Sequence, residues 1–290
     1  MAAVSELPLV VIVGPTASGK TALAIELADR FGGEIISADS RTIFKGMDIG
    51  TAKPSADERA RVPHWGLDLV EPGTVFTAAD FKRYAVEKIA QIRGRGNVPF
   101  LVGGTGLYVD AVLYDYQFSP VADELLRQQL MNMTLEQLHS YCIEHNITLP
   151  ENSQNKRYVV RAIERNGHTP QRRNAPISTS VIVGIATNRD VLRARIAERI
   201  EHMFDDGVVD EATRLGKKYG WDSQAMTGNI YPLVHEYTKG RLSYNETKEK
   251  AATLDWRLAK RQLTWLKRNP HITWLSLDEA RNYLVQRLAK

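Results

Sequence analysis

Along the chain, short unbroken apolar runs alternate with stretches whose apolar residues recur every three to four positions. Leu9–Val13 ("LVVIV"), Glu34–Ala38 ("EIISA") and Val98–Val102 ("VPFLV") have the length and continuity of strands buried on both faces. Between them, Thr21–Phe31 and Ala78–Arg93 carry helical spacing, the second opened by Thr77 as its N-cap. Strands alternating with helices predict an α/β core with a parallel sheet flanked by helices. A fourth run, Val181–Ala186 ("VIVGIA"), comes much later and leads into a strongly helical stretch from Asp190 to about Met203.

The intervening segment breaks the alternation. "DELLRQQLMNMTLEQLHSYCIEHN" and "NKRYVVRAIERNG" both read as helical, with no strand between them. That predicts a small helical insertion over 119–179, set in a core made of 1–118 and 180–290. "RNAPIST" (Arg173–Thr179) is the most linker-like stretch, and from Tyr231 onward the chain is helical again.

Composition narrows the class. With 43% hydrophobic and 25% charged residues, the chain has an ordinary globular balance. Its single cysteine, Cys142, excludes an intramolecular disulfide and a multi-cysteine zinc site, and fits a reducing, cytoplasmic setting. No apolar run reaches the roughly 18 residues that would suggest a membrane span. "MAAVSELPLVVIVG" lacks a basic start and reads as a core strand, not a signal peptide. The net charge of +4 permits a nucleic-acid partner, and its distribution says more. Between Lys239 and Arg268 basic residues outnumber acidic ones, with Arg257, Lys260 and Arg261 close together and Trp256 and Trp265 interleaved. Such a stretch suits salt-sensitive phosphate contact, and its tryptophans suit either a helix core or stacking on an unpaired base.

The sharpest local signal is "VIVGPTASGKT": Gly14, four residues, then Gly19, Lys20 and Thr21, after a strand and opening a helix. That is the pattern of a phosphate loop. Backbone amides of Gly14 and Thr16–Gly19 would cradle phosphate oxygens, Lys20 would neutralise them, and the Thr21 hydroxyl would hold Mg²⁺. Ligands of open parallel sheets bind beyond the carboxyl ends of the strands. Asp39 and Ser40 ("ADSRT"), and Gly103, Gly104 and Thr105 ("GGTGLY"), are therefore predicted to face the same crevice. After "VPFLV" the chain offers glycines and a threonine where a kinase or ATPase usually has a metal-organising acid, leaving Asp39 for that role. A small-molecule kinase and a non-catalytic RNA-binding module both remain compatible with these residues. Arg157, Arg161 and Arg165, spaced i, i+4, i+8, share one helix face.

"GPTASGKT", "ISADSRTIFKGMDIGTAKP", "VPHWGLDLVEPGTVFTAADFKRYA" and "FLVGGTGLYVDAVL" together closely resemble the tRNA dimethylallyltransferases. Later matches are "RAIE" (Arg161–Glu164), "NRDVLRARIAERIEHMFDDGVVDEATRL" and "RLAKRQLTWLKR", so the resemblance covers most of the chain. It implies that the Gly14–Thr21 loop holds the diphosphate of dimethylallyl diphosphate with Mg²⁺, and that the prenyl group passes to N6 of adenosine 37 of a tRNA. It assigns Asp39 as acceptor of the N6 proton, Thr105 to the neighbourhood of the diphosphate, and Arg161 to diphosphate or tRNA. Contacts to tRNA are implied at Asp39, Ser40, Arg41, Thr42, Thr105, Arg157, Arg161, Arg257, Lys260 and Arg261, in a cytoplasmic, monomeric enzyme. A transferase acting on free AMP, ADP or ATP is the close alternative, against which the basic C-terminal stretch speaks. The chain departs from the family in having Thr42 where glutamine is usual and Tyr158 where a second arginine is common. "AMTGNIYPLVHEY" also stands in place of a more regular GY-K-E stretch, and the insertion is short.

Overall fold

The computed structural model describes residues 7–118, 124–165 and 171–289. In chain order the first part runs β1 (Leu9–Val13), α1 (Lys20–Phe31), β2 (Gly33–Ser37), α2 (Ala56–Arg61), β3 (His64–Trp65), α3 (Ala78–Gly94), β4 (Val98–Gly103) and α4 (Gly106–Leu113). Three helices follow: α5 (Glu124–Asn132), α6 (Leu135–Glu144) and α7 (Lys156–Glu164). Then come β5 (Ser180–Ile185), α8 (Arg189–Asp205), α9 (Val208–Tyr219), α10 (Ile230–Thr238), α11 (Tyr244–Leu266), β6 (Thr273–Leu275) and α12 (Leu277–Leu288), with a 3₁₀ turn at Ala225–Thr227 before α10.

The six strands form one parallel sheet in the order β3-β2-β4-β1-β5-β6. β1 lies inside it, with Val11 opposite Leu101 on one side and Ile182 on the other. All five of its residues are fully buried, which explains why its sequence is continuously apolar and not alternating. Leu23, Leu27, Phe100, Ala280 and Leu284 share the cluster over this sheet, so α1 and α12 cover part of it. The expected strands and helices are present, most displaced by a single residue. β3 and β6 were not foreseen: at two and three residues, on the sheet edges, they are too short to show a period.

Two compact units result, Met1–Leu113 with Ala175–Lys290, and Tyr114–Asn174. Their junctions fall at 114 and 174 rather than at 119 and 179, for a hydrogen-bonding reason. Thr179 accepts from Leu9 N–H at 2.8 Å and Leu113 from Ile177 N–H at 3.0 Å, which ties 175–179 into the sheet unit. Arg173 N–H to Tyr114 (2.7 Å) and Gln117 N–H to Gln171 (2.8 Å) instead close the smaller unit on itself. Within that unit, α5, α6 and α7 pack Leu130, Leu138, Cys142, Val159 and Ile163 together.

Candidate active site

The order of strands puts the carboxyl ends of β1, β2 and β4 side by side, and the loops leaving them form the candidate site. β1 runs straight into Gly14. A turn closed by Ser18 N–H to the Pro15 carbonyl (3.3 Å) follows, with Ala17 at φ 62°. Gly19, at φ 87°, sits in the left-handed region that glycine tolerates, and it delivers the chain into α1. α1 has neither a side-chain cap nor an acid in its first turn, so its leading amides keep their positive end for an anion. Lys20 Nζ curls back to the Pro15 carbonyl at 3.2 Å. Burial holds its ammonium down at about 8; Asp39 pulls the value upward, and Arg199 lowers it further. Both charges are thus within electrostatic reach of Lys20.

Asp39 and Ser40 leave β2 and are stitched to the end of β4. Ser40 N–H donates to Thr105 Oγ1 (3.1 Å), and Thr105 N–H to the Ala38 carbonyl (3.2 Å). Thr105 also starts α4, its carbonyl accepting from Tyr108 and Val109, so backbone capping and a side-chain tie to Ser40 coexist at one residue. Asp39 Oδ1 accepts from Arg41 N–H at 2.8 Å. Arg41 itself points away, donating to the Gln224 carbonyl and to Thr227 Oγ1, both at 3.2 Å. Thr42 is only 5% exposed, its hydroxyl 3.1 Å from Ser37 Oγ. Both side chains are thus engaged within the protein: Thr42 ties the turn to the end of β2, and the Arg41 guanidinium links it to the 3₁₀ turn at Ala225–Thr227. The ring of Tyr108 is stacked on Phe81 with centroids 4.2 Å apart. Burial, with Asp39 adding to it, pushes the Tyr108 phenol well above its ordinary value.

Two helices from the later matched stretches complete the surroundings. From α8, Arg199 pairs with Asp255 of α11, whose other oxygen accepts from Asn229 Nδ2 at 2.8 Å. Arg195 Nη1 stands 3.5 Å from the Ser18 carbonyl. α11 also brings Gln262 against the glycine loop, its Oε1 accepting from Thr16 N–H at 2.8 Å. Arg195, Arg199 and Gln262 all lie within stretches already matched to the family; the i, i+4 spacing of Arg195 and Arg199 marks that pair, whereas no pattern within its stretch singles out Gln262. Arg257, Lys260 and Arg261 are exposed on α11. Trp256 packs with Leu192, Ile196 and Ala17 while Arg193 (4.7 Å), Arg189 (5.5 Å) and Lys260 (5.9 Å) lie over its ring. Trp265 donates to Asp110 Oδ2 at 2.7 Å, a packing role.

Arg157 and Arg161 belong to the helical unit. Arg157 is exposed, whereas Arg161 pairs at 2.9 Å with Glu164, whose buried carboxylate also lies 3.2 Å from Arg127.

A parallel sheet whose central strand feeds a glycine loop, with a carboxylate and a threonine at the ends of the neighbouring strands, defines a phosphate-loop type of α/β protein. The family described as IPP transferase matches residues 42–269, and the chain belongs to it. It is 40% identical to a tRNA dimethylallyltransferase of Desulforudis audaxviator, covering 94% of this chain and 93% of that one. It is 38% identical to the protein of the same description in Geobacillus thermodenitrificans, over 96% and 93% of the two chains. The crystal structure of a full-length tRNA isopentenylpyrophosphate transferase from Bacillus halodurans superposes with a TM-score of 0.74 at 35% identity, over 97% of both chains. Among the described residues no helix is long and apolar enough to cross a membrane.

Proposed function

We propose that the protein transfers the dimethylallyl group from dimethylallyl diphosphate to N6 of adenosine 37, next to the anticodon of a tRNA, and releases diphosphate. The observation that carries this reading is the placement of Asp39 beside an anion-ready loop, close enough for its charge to act on Lys20. In the transfer, the bond from prenyl C1 to the diphosphate oxygen breaks and the bond from C1 to N6 forms. Adenine N6 is a weak nucleophile, because its lone pair is delocalised into the ring. A carboxylate that takes its proton as the new bond forms removes that handicap. Asp39 commits only Oδ1 to the Arg41 amide, which leaves Oδ2 for the proton. Charge growing on the departing diphosphate meets fixed donors: the leading amides of α1 and the Lys20 ammonium. Thr105 holds the Asp39–Ser40 turn through the Ser40 N–H, which supports a place for it beside the diphosphate.

Mg²⁺ fits this arrangement as a companion of the diphosphate. Among the described residues no three acidic, histidine or cysteine side chains group to hold a metal, whereas the Thr21 hydroxyl at the start of α1 is a hard oxygen donor suited to sharing Mg²⁺ with substrate phosphates. When bound, the ion neutralises negative charge on the leaving group. The exposed Arg257, Lys260 and Arg261, with Ser40, Arg157 and Arg161, are proposed to contact tRNA, Arg161 being shared with the diphosphate; the enzyme is read as a cytoplasmic monomer.

A transfer assay with labelled dimethylallyl diphosphate and Mg²⁺, offering unmodified tRNA and AMP in parallel, tests the reading. Label on tRNA is the expected result. Label on AMP alone would move the protein to nucleotide prenylation, and release of ADP from ATP without label transfer would make the loop a nucleotide site.

A further inference from the structure

Gln262 lies between the two loops that frame the crevice. Its Oε1 accepts from the backbone N–H of Thr16, 246 positions earlier in the chain, at 2.8 Å. A backbone N–H can only donate, so the amide is oriented by chemistry, with Oε1 toward the loop and the Nε2 donor turned the other way. On that side lies Gly104, where an added Cβ would come within 2.4 Å of Nε2 and 3.1 Å of the Gly14 carbonyl. The wedge exists because residue 104 has no side chain. The helix behind it is pinned: Trp265, one turn on, bonds Asp110 and lies against Gly106.

Thr16 is the second residue of the Pro15–Ser18 turn, and the third, Ala17, takes a positive φ that costs an alanine free energy. A bond to Thr16 N–H braces the turn and fixes its peptide planes. We propose that Gln262 is a positioning residue for the donor diphosphate: it holds the glycine loop in its anion-binding shape and presents Nε2 at the edge of the crevice. This rests on reading the loop as a diphosphate site. The Thr16 amide is occupied by Gln262, so diphosphate is held by the amides at the start of α1 and by Lys20.

Inorganic pyrophosphate is the probe, titrated calorimetrically into the wild type, Gln262→Met and Gln262→Glu. Methionine fills the same wedge but accepts no bond from Thr16. Losing one hydrogen bond of ordinary strength should weaken pyrophosphate about 2–10-fold in Gln262→Met. The KM for dimethylallyl diphosphate should rise by the same factor, with kcat and tRNA affinity unchanged. Glutamate keeps the acceptor but sets a negative charge beside the anion, so Gln262→Glu should bind pyrophosphate more weakly still. Amide exchange at Thr16 should be slow in wild type and Gln262→Glu, and fast in Gln262→Met. A Gln262→Met protein with wild-type pyrophosphate affinity overturns the proposal, as does fast Thr16 exchange in the wild type, which needs no variant to fold. A wild type that binds no pyrophosphate overturns the diphosphate reading itself, and this role with it.

Discussion

Asp39 and Lys20 invite tests that separate chemistry from architecture. Asp39→Asn keeps the oxygen that accepts from Arg41 N–H, so the turn should survive while the proton acceptor is lost. Single-turnover transfer should fall by about 10²–10⁴-fold with tRNA affinity unchanged, the usual loss when a general base is removed. Unchanged turnover would take the proton-acceptor role away from Asp39. For Lys20, the sign of the pH effect follows from a value of about 8, depressed by burial from 10.5. The ammonium is present below pH 8 and lost above it, so pyrophosphate affinity should decline as pH rises from 7 to 9. Lys20→Ala should bind weakly, without that decline. In the empty protein the same depression means that the unfolded state holds the extra proton between about 8 and 10.5, so stability from this group rises with pH across that window. These residues were legible because each lies a few positions beyond an apolar run, within a short pattern that the backbone itself explains.

At the scale of the element, α11 joins two tasks on one helix. Its N-terminus is fixed by a capping box of Ser243 and Glu246, and its later turns pair Asp255 with Arg199 and bring Gln262 against the glycine loop while Arg257, Lys260 and Arg261 stay in solvent. Replacing Lys260 and Arg261 by alanine should therefore weaken tRNA and reduce the slope of log affinity against log salt. Two lost phosphate contacts correspond to a reduction of about 1.4–1.8. An unaltered slope would mean that this face does not touch phosphate. The basic stretch was visible in the sequence, and so was the ambiguity of its tryptophans, which the structure resolves toward packing: Trp265 bonds Asp110, and Trp256 packs on Leu192 and Ile196. Gln262 lies inside the matched stretch "RLAKRQLTWLKR", but its inward direction was not visible. A helix pattern shows which residues are apolar, but not which polar residue meets a backbone amide 246 positions away.

Across the whole sheet unit, the same limit explains why the loop following the Asp39 turn could be matched but not understood from sequence. Asp48, Ile49 and Gly50 turn their N–H groups onto one carboxylate, Glu211 of α9, at 2.8, 2.8 and 2.9 Å. Tyr231 of α10 donates to the same group at 2.9 Å, and its phenol is pushed well above its ordinary value by burial and by that carboxylate. Glu211 is 5% exposed among Met47, Val208 and Ala212, so it joins chain segments some 160 residues apart inside an apolar cluster. No periodicity announces such a residue; in the sequence it reads as an ordinary acid in the first turn of a helix. Glu211→Ala would leave three backbone donors and a phenol without an acceptor. At about 1–3 kcal/mol for each group left unsatisfied, a loss of about 4 kcal/mol or more is expected. The lower bound corresponds to roughly 8–16 °C in melting temperature for a unit of this size. Glu211→Gln retains one acceptor oxygen and should fall between alanine and wild type. Thermal unfolding of the three proteins checks the order, and equal melting temperatures would mean that the apolar cluster alone holds the loop. The intermediate position of glutamine would show that the loop is held by the number of acceptors offered, because the amide keeps the shape of the carboxylate while giving up one oxygen and the charge.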